Sequence, residues 1–274
     1  MIRLALSLSF FPLLASAQTD DSHFLQSCAS MLAANRAAPT QFFFSTKREQ
    51  NRLDTATATG PNYRLRALNY VWLRHYEQAA QWFEKAAEHF PKEHGAAGEF
   101  YFTFLRDTDR ALRHLNAFDA LTVNFDDHIN HNPVSYLRGL VYRDRGNHPK
   151  AIEQFCIAID SLEKKHGAEW VNYRHYVSRA VSYLATQQPG KALLDLDKAA
   201  HNYPKSPLVQ YQRGVALRQL GRTAEARTAL QDASFFYKQN RAQRGSYPQE
   251  DDNNPLFEPD IDAAIDALPA TNRN

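Results

Sequence analysis

The sequence predicts an all-α protein built from a row of helical hairpins, each made of a helix, a tight turn and a second helix. A pattern of small residues recurs, with the copies Ala79-x3-Phe83-x2-Ala86, Ala111-x3-Leu115-x2-Phe118, Ala151-x3-Phe155-x2-Ala158, Ala192-x3-Leu196-x2-Ala199 and Ala226-x3-Leu230-x2-Ala233. Gly146 and Gly221 fall between the two halves of their units, where a turn is needed. No segment shows sustained alternation of apolar and polar residues, which argues against a sheet.

Each leading alanine has a matching position 12 residues earlier: Ala67, Glu99, Gly139, Ala180 and Gly214. Two antiparallel helices approach closely only where the residues at the contact are small. Glu99 breaks this rule, and Phe118 stands where the same unit needs an alanine. We therefore expect well-formed units at 132–165, 173–206 and 207–240, a fair one at 60–91 and a poor one at 92–125.

The spacing of the units is uneven in the middle of the chain. The step from Ala192 to Ala226 is 34 residues, whereas the step from Ala111 to Ala151 is 40. The longer steps add the segments Thr122–His131 and Glu163–Asn172, each after the second helix of a unit. These segments are either a functional edge of the array or neutral variation in length.

The first 17 residues have the form of a secretion signal. Arg3 precedes a short apolar run from Leu4 to Leu14, and Ala15-Ser16-Ala17 forms a small-residue cleavage site. The run is shorter than the ~20 residues that span a bilayer. We expect cleavage before Gln18 and export to a periplasm or to the outside, with no membrane insertion.

The remaining chain divides into an N-terminal helical extension at 18–59, a repeat array at 60–240 and a tail at 241–274. Arg241 to Asp260 is rich in polar residues and proline, and we expect it to be poorly ordered. Apolar residues then recur at helical spacing, at Ile261, Ala264, Ile265 and Leu268. They predict a short helix that either caps the last repeat or binds a partner.

Composition excludes some classes of function. The 32 basic and 30 acidic residues give a net charge of +2, without the clustered basic excess of a nucleic-acid-binding protein. The two cysteines, Cys28 and Cys156, either form a disulfide in an oxidising compartment or serve as small buried residues.

Signatures of chemistry are missing from the sequence. It has no phosphate-binding glycine loop, no Gly-x-Ser-x-Gly and no His-Glu-x2-His. His128 and His131 lie near Asp126 and Asp127, but no further ligand or orienting neighbour is evident. We expect no metal, no cofactor and no enzymatic activity.

An arginine recurs at one position of four units: Arg66, Arg138, Arg179 and Arg213. These arginines either form a charged ladder for an acidic partner or brace their own hairpins. The second interpretation is favoured because Asp195 and Gln154 stand on the second helices of the units that hold Arg179 and Arg138, where each can pair with its arginine.

At these positions the sequence resembles the tetratricopeptide repeat family, over about residues 60–237. The resemblance implies a right-handed α-solenoid of about five hairpins with helical caps. It also implies that the first helix of each unit lines a concave groove that binds a peptide or protein. Carried over position by position, the partner-binding residues are Arg64, Trp72, Phe100, Phe104, Tyr136, Arg143, Arg174, Tyr211 and Arg218.

A groove rich in arginine and aromatic residues suits a peptide with apolar and acidic side chains. Some members of the family clamp a C-terminal carboxylate, but the clamp positions here hold residues such as Tyr136, Leu140, Ser178 and Leu208. We expect an exported protein-interaction scaffold, an adaptor of an envelope-associated assembly. The alternatives are a structural repeat protein that self-associates into a homo-oligomer, and an enzyme with its site in the groove or the inserted segments.

Overall fold

The computed structural model describes residues 59–244 and 249–269, most of which are helical. The helices are α1 Gly60–Trp72, α2 Tyr76–His89, α3 His94–Phe100, α4 Thr108–Asp119, α5 Val134–Asp144, α6 His148–His166, α7 Tyr173–Ala185, α8 Pro189–Asn202, α9 Pro207–Gln219, α10 Thr223–Arg244 and α11 Glu258–Asp266. The described strands are β1 His128–Ile129 and β2 Asn132–Pro133, an antiparallel pair between α4 and α5. The predicted signal peptide and nearly all of the predicted N-terminal extension lie outside the described residues.

The chain separates into two compact units, one ending at Ala97 and the other beginning at Gly98. In the first unit, Thr59 caps α1 by accepting a hydrogen bond from the backbone N–H of Asn62 at 3.3 Å. Ala67 of α1 and Ala79 of α2 are both fully buried, as close packing of a hairpin requires.

In the second unit, three regular hairpins follow one another: α5 with α6, α7 with α8, and α9 with α10. A Cβ added to Gly139 would lie 2.5 Å from the ring of Phe155, and one added to Gly214 would lie 2.5 Å from Leu230. The turns of the first and third of these hairpins contain Gly146 and Gly221, both at φ +73°, which L residues rarely adopt. The recurring small residues therefore mark helix contacts.

The unit predicted to be poor packs through a different residue from the one expected. Gly98, and not Glu99, makes the close approach, since a Cβ there would lie 2.8 Å from Leu115. A π-helical turn at Tyr101–Leu105 follows α3 and inserts one extra residue. The position that matches Ala111 therefore lies one residue earlier in the chain than in the other units. Glu99 instead accepts a hydrogen bond at 2.6 Å from Asn130 of the inserted segment.

The segment predicted to be poorly ordered, 241–260, differs from that expectation where it is described. Helix α10 continues to Arg244, and the residues from Gln249 to the start of α11 hold defined contacts with other helices. Helix α11 packs against α10, and its Ile261 is fully buried. Within the described ranges, no helix combines the length and apolar character needed to cross a membrane.

Candidate functional site

The candidate site is the surface formed by α5, α7 and α9, the first helices of the three regular hairpins, which we call the inner-helix surface. An irregular stretch of the same chain, Gln249–Leu256, lies against it, and we call this stretch the tail segment. Both belong to the second unit.

Arg143 of α5 holds the tail segment with two hydrogen bonds. Its Nη1 donates to Oδ1 of Asn254 at 2.8 Å, and its Nη2 donates to the backbone carbonyl of Asn253 at 2.7 Å. The Arg143 side chain is 9% exposed, so its charge is largely removed from water. A planar guanidinium fork of this kind selects both a side chain and the backbone beside it.

Asn254 is the polar centre of the tail segment and is buried. Its Nδ2 donates to Oγ of Ser178 on α7 at 3.1 Å and to Oδ2 of Asp251 at 2.6 Å. The hydroxyl groups of Ser178 and Tyr136 are also 3.1 Å apart. Both ends of the Asn254 amide are therefore satisfied, as a buried amide requires.

The charges at the inner-helix surface are complementary to those of the tail segment. Burial raises the pKa of the Tyr136 phenol well above its ordinary value, and the negative charge of Asp251 raises it further. Burial lowers the pKa of Arg174, but the hydrogen bond with Tyr173 and the charge of Asp251 outweigh burial, so the net shift is upward. Tyr136 is thus a neutral phenol beside Asp251, and Arg174 remains a cation.

Two further contacts anchor the ends of the tail segment. Oγ of Ser206, which also caps α9, donates to Oε2 of Glu250 at 2.5 Å. Leu256 is buried in the same apolar cluster as Val177 and Leu208 of the inner-helix surface. The segment is therefore held by several polar side chains and by one buried apolar side chain, Leu256.

A buried histidine, His175 of α7, packs against Tyr136 of the inner-helix surface. Burial lowers its pKa to about 4, with smaller contributions from the charges of His128 and Arg174. Its Nε2 lies 3.3 Å from Oδ1 of Asn132, and its ring centroid is 4.1 Å from that of Tyr136. A neutral imidazole is thus part of the packing beneath the site.

The structure brings together some of the partner-binding residues predicted from sequence. Tyr136, Arg143 and Arg174 surround the tail segment, and the pKa of Tyr211 is raised by burial and by the charge of Asp260. The positions of the remaining five are as follows: Phe100 is buried, Phe104 stacks on Phe100 at a centroid distance of 5.9 Å, Arg218 is exposed on α9, Arg64 pairs with Glu93 at 3.2 Å, and Trp72 is 44% exposed. The last two belong to the first unit.

One of the recurring arginines pairs within its own hairpin as predicted, and another pairs with a residue outside its hairpin. The predicted pair of Arg179 and Asp195 is confirmed, with Nε donating to Oδ2 at 2.8 Å and Nη2 to Oδ1 at 2.7 Å. The predicted bond between Arg138 and Gln154 is wrong, because Arg138 donates to Asp119 of α4 instead. A carboxylate is a stronger acceptor for a guanidinium than a neutral amide is.

The other chemical candidates from the sequence do not form a centre. Among the described residues, no group of three or more His, Cys, Asp and Glu side chains could hold a metal ion. Cys28 lies outside the described residues, so the two interpretations of the cysteines, a disulfide or small buried residues, both stay open; the Sγ of Cys156 lies 3.4 Å from Nη1 of Arg179.

Sequence reasoning missed the tail segment as part of the site. In the sequence, Asp251 and its neighbours belong to a polar, proline-containing stretch that is predicted to be poorly ordered. The available signal was the spacing Asp251-x2-Asn254-x-Leu256, in which one apolar residue follows two side chains capable of hydrogen bonding.

Comparison with known proteins agrees with this fold. Residues 177–240 match the tetratricopeptide repeat family. No curated protein sequence matches the chain.

Several solved structures are similar to this one. MamA is 16% identical, with a TM-score of 0.55 over 69% of this chain and 97% of its own. PilW, a widely conserved type IV pilus biogenesis factor, is 12% identical, with a TM-score of 0.56 over 84% of this chain and 96% of its own. The C-terminal part of a TPR repeat-containing protein from Cytophaga hutchinsonii is 16% identical, with a TM-score of 0.55 over 91% and 96%. The chain thus resembles the tetratricopeptide repeat family and has its all-α helical repeat fold.

Proposed function

We propose that this protein is an exported interaction scaffold that binds a non-helical segment of another protein on the inner-helix surface. The observation that carries the proposal is that this surface already holds a non-helical segment through side-chain-specific hydrogen bonds, one donated by Arg143 and one accepted by Ser178. Helical repeat folds use such surfaces for protein–protein interaction, and they have no need of a deep pocket or a catalytic centre.

The proposal extends to an adaptor of an envelope-associated assembly. The sequence supports export through its N-terminal signal pattern. The similarity to a type IV pilus biogenesis factor is compatible with an envelope role. Fractionation of cells that express a C-terminally tagged chain, with N-terminal sequencing of the product, tests this part. We expect a product in the exported fraction that begins at Gln18, and an unprocessed cytoplasmic product would contradict export.

Site-specific photo-crosslinking tests which face of the scaffold binds. A photoreactive amino acid at Arg174 or Arg218 reports on the inner-helix surface, whereas the same label at Leu194 or Phe235 reports on the second helices. Leu194 and Phe235 are matched controls because both are more than half exposed. We expect one protein to crosslink repeatedly to the inner positions and not to the controls. Equal capture from both faces, or none from the inner face, would contradict the proposal.

A further inference from the structure

We propose that the tail segment is an intramolecular mimic of the partner. On this view, the inner-helix surface recognises an acidic peptide with the spacing Asp-x2-Asn-x-Leu, and the partner binds by displacing Gln249–Leu256. This inference rests on the proposed function and adds the chemistry of the partner and the way in which access to the site is controlled.

The first argument is that the contacts are specific to particular groups. Both ends of the Asn254 amide make hydrogen bonds with the surface: Oδ1 accepts one from Arg143, and Nδ2 donates one to Ser178. Replacing that amide with a carboxylate or a methyl group would leave a buried donor or acceptor without its partner, which is costly. The surface therefore selects an asparagine, not merely a polar residue.

The second argument is charge complementarity. Two acidic residues of the segment lie at the surface, Glu250 and Asp251, and the surface presents Arg143 and Arg174. Asp251 is buried, and its charge acts on Arg174. Opposite charges of this kind favour an acidic ligand and speed its association.

The third argument is that the tail segment is held in a way that permits exchange. Its one large apolar side chain is Leu256, and its other contacts are hydrogen bonds, each of which water replaces at modest net cost. Helix α11, which follows the segment, is separately anchored by the buried Ile261. A displaced segment would thus remain tethered at a high effective concentration and compete with any partner.

The experiment measures binding of a labelled peptide to the full chain. The probe is a fluorescein-labelled peptide with the sequence of residues 249–256, and its affinity is measured by fluorescence anisotropy. The released variant carries Asp251→Ala and Asn254→Ala, and Asp252→Ala is the matched control because this side chain is exposed. Circular dichroism checks that each variant is folded, and Asn254→Ala alone replaces the double variant if that fails to fold.

We expect the released variant to bind the peptide at least about tenfold more tightly than the wild type, because the competing segment has lost the hydrogen bonds of Asn254 to Arg143 and Ser178 and the buried charge of Asp251. The Asp252→Ala control should bind as the wild type does. Adding Arg143→Ala to the released variant should abolish the gain. A peptide in which alanine replaces the asparagine equivalent to Asn254 should bind weakly to every variant.

Three results would overturn the inference. One is equal affinity of the wild type and the released variant for the peptide, and another is binding to neither. The third is a dimer, detected by light scattering, that the peptide dissociates, because the segment would then occupy a second copy. If the peptide fails while photo-crosslinking still captures a protein on the inner-helix surface, the mimic is refuted and the scaffold function stands.

Discussion

Replacement of Arg179 by methionine should destabilise the protein more than any substitution at the other recurring arginines of the second unit. The Arg179 and Asp195 side chains are 10% and 6% exposed and share two hydrogen bonds across the hairpin of α7 and α8. Burial disfavours the charged guanidinium, but the hydrogen bonds and charge of Asp195 outweigh burial and raise the pKa of Arg179. Burial also raises the pKa of Asp195, and the hydrogen bonds and charge of Arg179 oppose that rise. Arg179 is therefore charged in the folded protein and is the partner that compensates the buried carboxyl group.

Methionine fills the space of the arginine stem but leaves the Asp195 carboxylate buried without its two donors. Breaking a buried pair in this way costs about 3–5 kcal/mol, a large part of the 5–15 kcal/mol stability of an ordinary domain. Arg213 is the matched control, since it stands at the same position of the next unit and pairs with Asp197 at 3.1 Å through side chains that are 31% and 52% exposed. Arg213→Met should cost no more than about 1 kcal/mol.

Urea denaturation followed by circular dichroism measures these differences as shifts of the midpoint at constant slope. The double variant Arg179→Met with Asp195→Leu should recover most of the lost stability, because it leaves no buried carboxylate without a hydrogen-bond donor. The reasoning is refuted if Arg179→Met costs no more than Arg213→Met. It is also refuted if the double variant is as unstable as the single one, since packing would then be the cause.

Two further substitutions probe the packing and the titration of the second unit. Gly139→Ala should destabilise the protein by about 1–2 kcal/mol in thermal denaturation, because its Cβ would lie 2.5 Å from Phe155 and the cost of overpacking exceeds the gain in helix propensity. Gly190→Ala, with nothing within 4 Å, should be neutral or slightly stabilising, and equal losses at both glycines would contradict this. His175→Gln should weaken the dependence of stability on pH. Burial lowers the pKa of His175 from 6.5 to about 4, so its contribution is complete above pH 6.5 and is lost as the pH falls toward 4. Between pH 7.5 and 5.0, the free energy of unfolding of the wild type should fall by about 2 kcal/mol more than that of the variant, and parallel curves would show that His175 does not titrate this way.

The hairpins could be predicted because their determinants are local. Gly139 and Gly214 lie at helix contacts, and the pair of Arg179 and Asp195, 16 residues apart within one hairpin, is present as expected. The error at Glu99 arose from a single π-helical turn, which shifts the register by one residue without changing the sequence pattern.

The partner of Arg138 could not be predicted in the same way. Gln154 stands within its own hairpin, but Asp119 belongs to the preceding one and competes for the same donor. The choice between them depends on how neighbouring hairpins stack, and the periodicity of one hairpin carries no information about that.

The sequence by itself determined that this chain is a helical repeat protein, where its close contacts lie and which helices come first in each hairpin. These features follow from residue size at helical spacing and from glycine at turns, which act over a few turns of helix. Only the tertiary structure decided what lies on the inner-helix surface. Arg143 and Asn254 are 111 residues apart, and a contact at that separation depends on the path of the whole second unit. Hydrogen-bonding groups have no periodic pattern in a sequence. The contact between the polar tail segment and the inner-helix surface therefore could not be predicted without the tertiary structure.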